Sequence, residues 1–271
     1  MQARPYRRRA RAGNDEDEDE PMMRETRRGD CEWCGLRRVC FPGRLTAESP
    51  VGAALLSIRC VRIARGHALY RAGERIEAFH MLRSGCIKET DDSDGRESIV
   101  NFCLPGELLT VQNAASAKSQ LSSIAVETSF VCAVPWRVFY RVCAQFPSAT
   151  GEFIKLIARS GGGTRELLTL IRGRGALERV AGFLSNLCTR MQSRGFPARE
   201  FRLGMSREDI ARYLGLRSET VSRCFSELAR RGVLRVRAKR IQILSIQEMR
   251  RLSIADVFGS LETPMAEREA V

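Results

Sequence analysis

Cys31-Glu32-Trp33-Cys34 and Cys40 place three thiols within ten residues, at C-x2-C-x5-C spacing. A short loop at this spacing turns its sulfurs toward one point, and converging thiolates favour soft metal centres. Three such ligands call for a fourth. Iron–sulfur clusters usually take four cysteines, and zinc accepts four as well. Spacing alone leaves three readings open: an iron–sulfur cluster, a zinc ion, or thiols that hold no metal. Cys60, Cys86, Cys103, Cys143, Cys188 and Cys224 are scattered, and each reads as a small buried hydrophobe. Histidine adds little. Only His67 and His80 are present, which argues against histidine-dominated zinc and leaves few candidates for a general base.

A second group of residues could read a nucleic acid. From Ser206 the chain runs Ser-Arg-Glu-Asp-Ile-Ala-Arg-Tyr-Leu-Gly-Leu, then Arg217-Ser218-Glu219-Thr220-Val221-Ser222-Arg223. Ser206 with Asp209 three residues on is a capping box for a first helix. Gly215 allows a sharp turn, and Leu216 can plug between the helices. A second helix then runs to about Arg231, with Gly232 as its stop. Helical spacing turns Val221, Phe225 and Leu228 inward and Glu219, Ser222, Arg223 and Ser226 outward. A recognition helix needs this division: an apolar back, and a short polar front for the major groove. Arginine can pair bidentately with guanine, and glutamate can accept from cytosine. Val233–Val236 and Ile241–Leu244 read as a hairpin around Ala238-Lys239-Arg240, a basic wing. Ser218, Glu219, Ser222 and Arg223, with Ser206, Arg217 and Lys239, are the candidate DNA contacts.

Charge agrees with such a partner. The 271 residues carry 45 Lys and Arg against 32 Asp and Glu, a net +13. Over 206–240 alone, ten basic residues face four acids. Each cation near a phosphate releases a condensed counterion, so a polyanion is the expected partner. No run approaches the roughly 20 apolar residues of a membrane helix. The Arg-rich start lacks the apolar stretch of a secretory signal. A cytoplasmic protein without a membrane partner is expected, and there ten cysteines are unlikely to form a disulfide framework. The chain has no GxGxxG followed by an acidic residue, no phosphate-cradling P-loop and no histidine near a candidate nucleophile. An iron–sulfur redox enzyme or electron carrier is therefore disfavoured, and no enzyme is expected.

The elements that must position these residues follow in order. Residues 1–30, with Arg7-Arg8-Arg9 and the acidic run Asp15 to Glu20, read as a disordered charged tail. Ala53, Ala54, Leu55, Leu56, Ile58 and Val61 suggest a short helix. From about 66 to 136, short apolar runs alternate with Gly-, Asp- and Ser-containing turns, the texture of a small antiparallel barrel or jelly roll. Ser98–Phe102 and Ile124–Glu127 are its clearest strands. From Trp136 to Leu170 apolar residues recur at helical steps, interrupted by Gly161-Gly162-Gly163, which should weaken the helix. Another helix covers 176–194. The expected layout is a tail over 1–30, a cysteine loop with β-roll over 31–135, a long helix over 136–175, a winged helix-turn-helix over 176–250 and a tail over 251–271.

From Cys31 to about Leu244 the chain resembles the CRP/FNR superfamily, and within it the fumarate and nitrate reduction regulators. The likeness is carried by Arg83-Ser84-Gly85-Cys86-Ile87-Lys88, by Arg194-Gly195-Phe196 with Arg199–Leu203, by Tyr213–Leu216 with Glu219–Arg223, and by the N-terminal cysteines. The resemblance implies an α+β fold: a cyclic-nucleotide-binding-like β-roll or jelly-roll sensory domain, a long dimerisation helix and a C-terminal winged helix-turn-helix. It assigns Cys132, in Glu127–Pro135, as the fourth ligand beside Cys31, Cys34 and Cys40. It implies a 4Fe–4S cluster that is intact without oxygen and sustains an active homodimer. The dimer would bind inverted-repeat, TTGAT-like promoter sites in double-stranded DNA through Glu219, Ser222 and Arg223. RNA polymerase is the implied protein partner, with the acidic loop Asp91 to Glu97 as the candidate contact. Zinc, or a cluster that answers to nitric oxide, is the alternative within the same family. Cyclic-nucleotide-binding relatives carry an Arg-Ser pair where this chain has Gln120-Leu121-Ser122-Ser123, so no cyclic nucleotide is expected. The triple glycine falls within the expected dimerisation helix, and Ser218 departs from the usual pattern just before Glu219.

Overall fold

The computed structural model describes residues 23–26, 31, 34–48, 58–93, 95–109, 118–160 and 175–253. Nine strands form two antiparallel sheets. The first holds β1 (Met23–Thr26), β2 (Arg59–Ile63), β9 (Ser129–Pro135), β4 (Ala78–Ser84) and β7 (Leu108–Leu109), in that order. The second holds β3 (Ala68–Tyr70), β8 (Ser122–Ala125), β5 (Ile87–Asp91) and β6 (Ser98–Cys103). Their inner faces meet over Ile63, Leu82, Leu109 and Val131 from one sheet and Ile87, Cys103 and Ala125 from the other. This is the expected roll.

Strand alternation sends every second side chain to the outer face, and each outer face carries a different load. On the first sheet it is covered by α1 (Phe41–Glu48), α2 (Trp136–Gln145) and α3 (Pro147–Ser160), around Phe41, Phe79, Phe139 and Phe153. Phe41 is 1% exposed and meets the other three rings edge-on at 5.6–5.8 Å. Edge-to-face aromatic contacts of this kind add to the burial term. They pin the start of α1, and with it the cysteine loop just before.

On the second sheet, Cys86, Ile99, Phe102 and Leu104 form one continuous core with α4 (Ala176–Gln192), α5 (Arg207–Leu214) and α6 (Ser218–Arg230). Phe102, Phe183 and Tyr213 close a triangle of rings at 5.2–6.1 Å. Polar links surround it. Lys88 reaches Asp209 at 3.4 Å, Glu127 pairs with Arg202, and Glu107 is gripped by Arg190 and by Arg194. Behind α6 lie β11 (Leu234–Arg237), β12 (Arg240–Ile243) and β10 (Glu200–Arg202), then α7 (Ile246–Ser253).

Several expectations change. Residues 23–26, placed in an unstructured tail, pair with β2. Ile58 and Val61 lie at and in a strand rather than a helix, because cross-strand pairing with β9 outweighs a local apolar run; residues 53–56 lie outside the described residues. The helical stretch from Trp136 is two helices, broken at Phe146-Pro147, since proline removes a backbone donor and clashes with the preceding turn. Val138, Phe139 and Val142 of α2 are core residues. The triple glycine and the rest of the expected dimerisation helix, 161–174, lie outside the described residues.

Candidate nucleic-acid interface and cysteine site

The helix-turn-helix is built from local signals. Ser206 Oγ accepts from the Asp209 amide at 3.0 Å, and the Asp209 carboxylate accepts from the Ser206 amide at 3.0 Å. This reciprocal cap fixes the start of α5. Gly215 ends the helix with φ 63° and ψ 41°, a left-handed conformation that glycine adopts without steric cost. Arg179 of α4 donates to the Leu214 carbonyl at 3.1 Å, satisfying one of the helix's last acceptors.

The turn then aims α6 outward. Val221, Phe225 and Leu228 are at most 3% exposed, and Cys224 joins them inside. Ser218, Glu219, Ser222, Arg223 and Ser226 are exposed along one stripe. Ser222 Oγ donates to the Ser218 carbonyl at 3.0 Å, and Ser226 Oγ to the Ser222 carbonyl at 3.2 Å. Both hydroxyls therefore rest on the helix they belong to. Ser206, Arg217 and Lys239 are exposed as well. Lys239 sits in the two-residue turn between β11 and β12, beside Ala238 with φ 53°. Arg207, unmarked by the sequence reading, lays its guanidinium 3.3 Å from the centre of the Phe225 ring. A cation over an aromatic face is held there by the ring quadrupole, so Arg207 braces α6 from behind. It also lines an open groove of about 530 Å³ with Ser222, Ser226 and Arg235.

The second group of residues lies on the far side of the roll. Residues 34–40 form tight turns, with Arg37 N donating to the Cys34 carbonyl at 3.0 Å and Cys40 N to the Leu36 carbonyl at 2.9 Å. Gly43 makes this possible: a Cβ there would lie 2.3 Å from the Arg37 carbonyl oxygen. Cys31, Cys34, Cys40 and Cys132 all pack into the core between α1, α2, α3 and the outer face of the first sheet. Cys40 is buried, which pushes its thiol up to about 12, and the nearby Cys31 and Cys34 push the same way. Cys132 is raised well above the ordinary thiol range, first by a hydrogen bond with Cys60, then by burial. Among the described residues, no three His, Cys, Asp or Glu side chains converge closely enough to hold an ion. The donor set is nonetheless thiol only, and its members share one wall, which suits an iron–sulfur cluster or zinc by chemistry.

Cys60 was read as one more buried hydrophobe. It stands directly opposite Cys132 across β2 and β9, and Met81 of β4 stands on the other side of Cys132. Arg83 Nη1 lies 3.8 Å from Cys60 Sγ. A pairing between residues 72 positions apart leaves no local signal in the sequence.

Elsewhere, Glu97 of the acidic loop pairs with Lys88 at 3.0 Å and lies 3.7 Å from Arg212, so it faces the helix-turn-helix. Ser123 is fully buried in β8, while Gln120 is exposed. No helix among the described residues is long and apolar enough to cross a membrane.

The chain is similar to known proteins over most of its length. A Crp-like helix-turn-helix domain matches residues 178–252, and a cyclic nucleotide-binding domain matches 60–146. The fumarate and nitrate reduction regulatory protein of Vibrio cholerae is 33% identical over 224 residues, covering 82% of this chain and 90% of that protein. The transcriptional activator protein anr of Pseudomonas aeruginosa is 33% identical over 220 residues, covering 81% and 90%. Among solved structures, FixK2 from Bradyrhizobium japonicum superposes with a TM-score of 0.63 at 26% identity, covering 71% of this chain and 96% of that one.

Proposed function

From the premise that the chain belongs to the CRP/FNR family of DNA-binding transcription regulators, which are not enzymes, we propose that it is an oxygen-responsive regulator of anaerobic gene expression. The observation that carries this reading is the shared wall of Cys31, Cys34, Cys40 and Cys132, joined to an exposed, family-matched recognition helix. These four cysteines would hold a 4Fe–4S cluster. When bound, the cluster supplies an oxygen-labile cross-link between the N-terminal loop and β9.

The remaining work belongs to the chain itself. Phe41 and Gly43 hold the loop against the sheet, on the same wall as Cys132. The cluster can favour the active state only by its difference in affinity for the two states. About 2.7 kcal/mol suffices to move a two-state ratio a hundredfold. The active state is a homodimer, whose two-fold symmetry presents two copies of α6 to an inverted repeat in double-stranded DNA. Glu219, Ser222 and Arg223 read base edges of TTGAT-like half-sites. Ser206, Ser218, Arg217 and Lys239 flank them along the DNA. RNA polymerase is the partner at the promoter. The protein works in the cytoplasm and takes no cyclic nucleotide.

Purification without oxygen, with iron and sulfide analysis and an absorption spectrum before and after exposure to air, tests this reading. About four irons per chain and a brown colour that fades as dimer and DNA binding are lost support it. A colourless protein with one zinc, binding DNA equally with and without air, leaves the DNA reader standing and removes the oxygen sensor.

A further inference from the structure

Four residues form a row across the outer face of the first sheet: Cys60 on β2, Cys132 on β9, Met81 on β4 and Leu108 on β7, each opposed to the next. Directly opposed residues of an antiparallel pair have Cα atoms about 4.5 or 5.5 Å apart. Both values lie inside the span of roughly 4.4–6.8 Å found in disulfides. Opposed side chains leave the sheet on the same face, with Cβ atoms about 4.5–5.5 Å apart, so the Cys60 and Cys132 thiols are neighbours across the strand pair. The two differ in access. Cys60 is 1% exposed, whereas Cys132 is only partly covered. The Arg83 guanidinium stands against the Cys60 sulfur.

We propose that Cys60 is a resolving thiol for Cys132, and that in the metal-free protein the two close a cross-strand disulfide between β2 and β9. The oxidant is hydrogen peroxide. The Cys132 sulfur, the more accessible of the two, attacks one peroxide oxygen. An S–O bond forms, the O–O bond breaks, and hydroxide leaves to take up the thiol proton as water. The Cys60 sulfur then attacks the oxidised sulfur. The S–S bond forms, the S–O bond breaks, and the departing hydroxide takes the second thiol proton. Two thiols and one peroxide give one disulfide and two waters, with one electron lost by each sulfur. Cys60 can do this without a large backbone movement because the strand register already opposes it to Cys132. Cys31, Cys34 and Cys40 sit on the loop and α1 side, and no strand register opposes any of them to Cys132.

The pairing stands on the strand geometry alone; its consequence for metal uptake rests on the iron–sulfur reading above. A sulfur in the disulfide is no longer a ligand, so the oxidised chain should refuse a cluster until a thiol reductant frees Cys132.

The test uses the full-length chain, stripped of iron under reducing conditions, desalted and treated with one equivalent of hydrogen peroxide. Free thiols are alkylated, and tryptic fragments are read by mass spectrometry. The expected product is the fragment beginning at Cys60 joined to the fragment carrying Cys132. It should be lost on reduction and in Cys60→Ser or, if that variant fails to fold, in Cys60→Val. After the same treatment the variant should carry Cys132 as a sulfenic acid that dimedone traps, whereas the parent should carry the disulfide and accept iron and sulfide only after reduction. Cys132 joined to Cys31, Cys34 or Cys40, or Cys60 recovered as an alkylated free thiol after oxidation, overturns the proposal. If no form of the protein takes up iron, the cluster reading fails, while the fragment analysis still decides the disulfide.

Discussion

Arg190 holds Glu107 with two nitrogens at once, Nε to Oε1 at 2.8 Å and Nη2 to Oε2 at 2.5 Å, and so ties the last turns of α4 to the turn that enters β7. The same arginine donates to the Phe102 carbonyl at 2.5 Å, and Arg194 adds a second cation at 2.8 Å. Glu107 is buried, which pulls its carboxyl up, but the two guanidinium groups and the Leu104 amide outweigh this and hold it below the usual carboxylate range. Removing one partner of a buried pair leaves the other charge uncompensated. Glu107→Ala should cost about 3 kcal/mol of stability at neutral pH, read by chemical denaturation. A carboxyl with a depressed folded value stabilises above its unfolded value and loses that contribution as pH falls through the folded one. The parent should therefore lose stability on acidification below the ordinary carboxylate range, and the variant should lose less. Equal acid sensitivity would remove Glu107 from the account.

Local rules made the DNA-reading half legible. The Ser206–Asp209 cap, the Gly215 turn and the inward stripe of Val221, Phe225 and Leu228 all act within a few residues, so spacing reveals them. The strand turns of the roll were legible for the same reason. What spacing could not reveal is long range. Cys60 faces Cys132, Glu107 meets Arg190, and Met23–Thr26 pairs with β2 only because the chain has folded. The break at Pro147 carried a local signal, but the apolar periodicity on either side masked it.

Gly43 lies where α1 passes over the cysteine loop. Alanine would ordinarily gain about 1 kcal/mol in a helix interior. Here its Cβ would meet the Arg37 backbone at 2.3–2.7 Å, and backbone cannot swing aside as a side-chain tip can. Gly43→Ala should therefore destabilise by roughly 1–3 kcal/mol and reduce iron uptake, while DNA binding by α6 keeps its sequence preference. A variant as stable as the parent would show that the loop relaxes freely.

Cys34→Ser leaves every DNA-facing side chain in place. It should abolish activation in cells grown without oxygen while weak binding to arbitrary DNA is unchanged. A variant that still activates its promoters removes Cys34 from the ligand set.

Arg223 is exposed on the outward stripe of α6. Arg223→Ala should cost about 1–3 kcal/mol at one base pair and relax the preference there. Competition binding with single-base variants of the half-site reads the effect. Uniform weakening on all sequences would mark Arg223 as a phosphate contact instead.

Ala238 holds φ 53° in the wing turn, a conformation that costs a residue with a Cβ roughly 1–2 kcal/mol. Glycine removes this cost and gives back about 0.5–1 kcal/mol in unfolded-chain entropy. Ala238→Gly should raise stability slightly, by about 0.5 kcal/mol, seen as a small upward shift of the denaturation midpoint.

The turn Leu104–Glu107 touches both ends of the molecule's business. A Cβ on Gly106 would stand 3.2 Å from the Val39 side chain and 3.6 Å from Leu36, both in the cysteine loop, and 3.3 Å from Arg194. One residue on, Glu107 holds Arg190. Phe196, just after Arg194, packs into the same core as Leu36 and Cys40. Any free energy transmitted through this junction acts equally in both directions, because linkage between binding sites is reciprocal. If a cluster in the loop tightens the grip on an operator, the operator protects the cluster by the same factor. At equilibrium, molecules seated on DNA would then keep a larger share of clusters than their unbound copies.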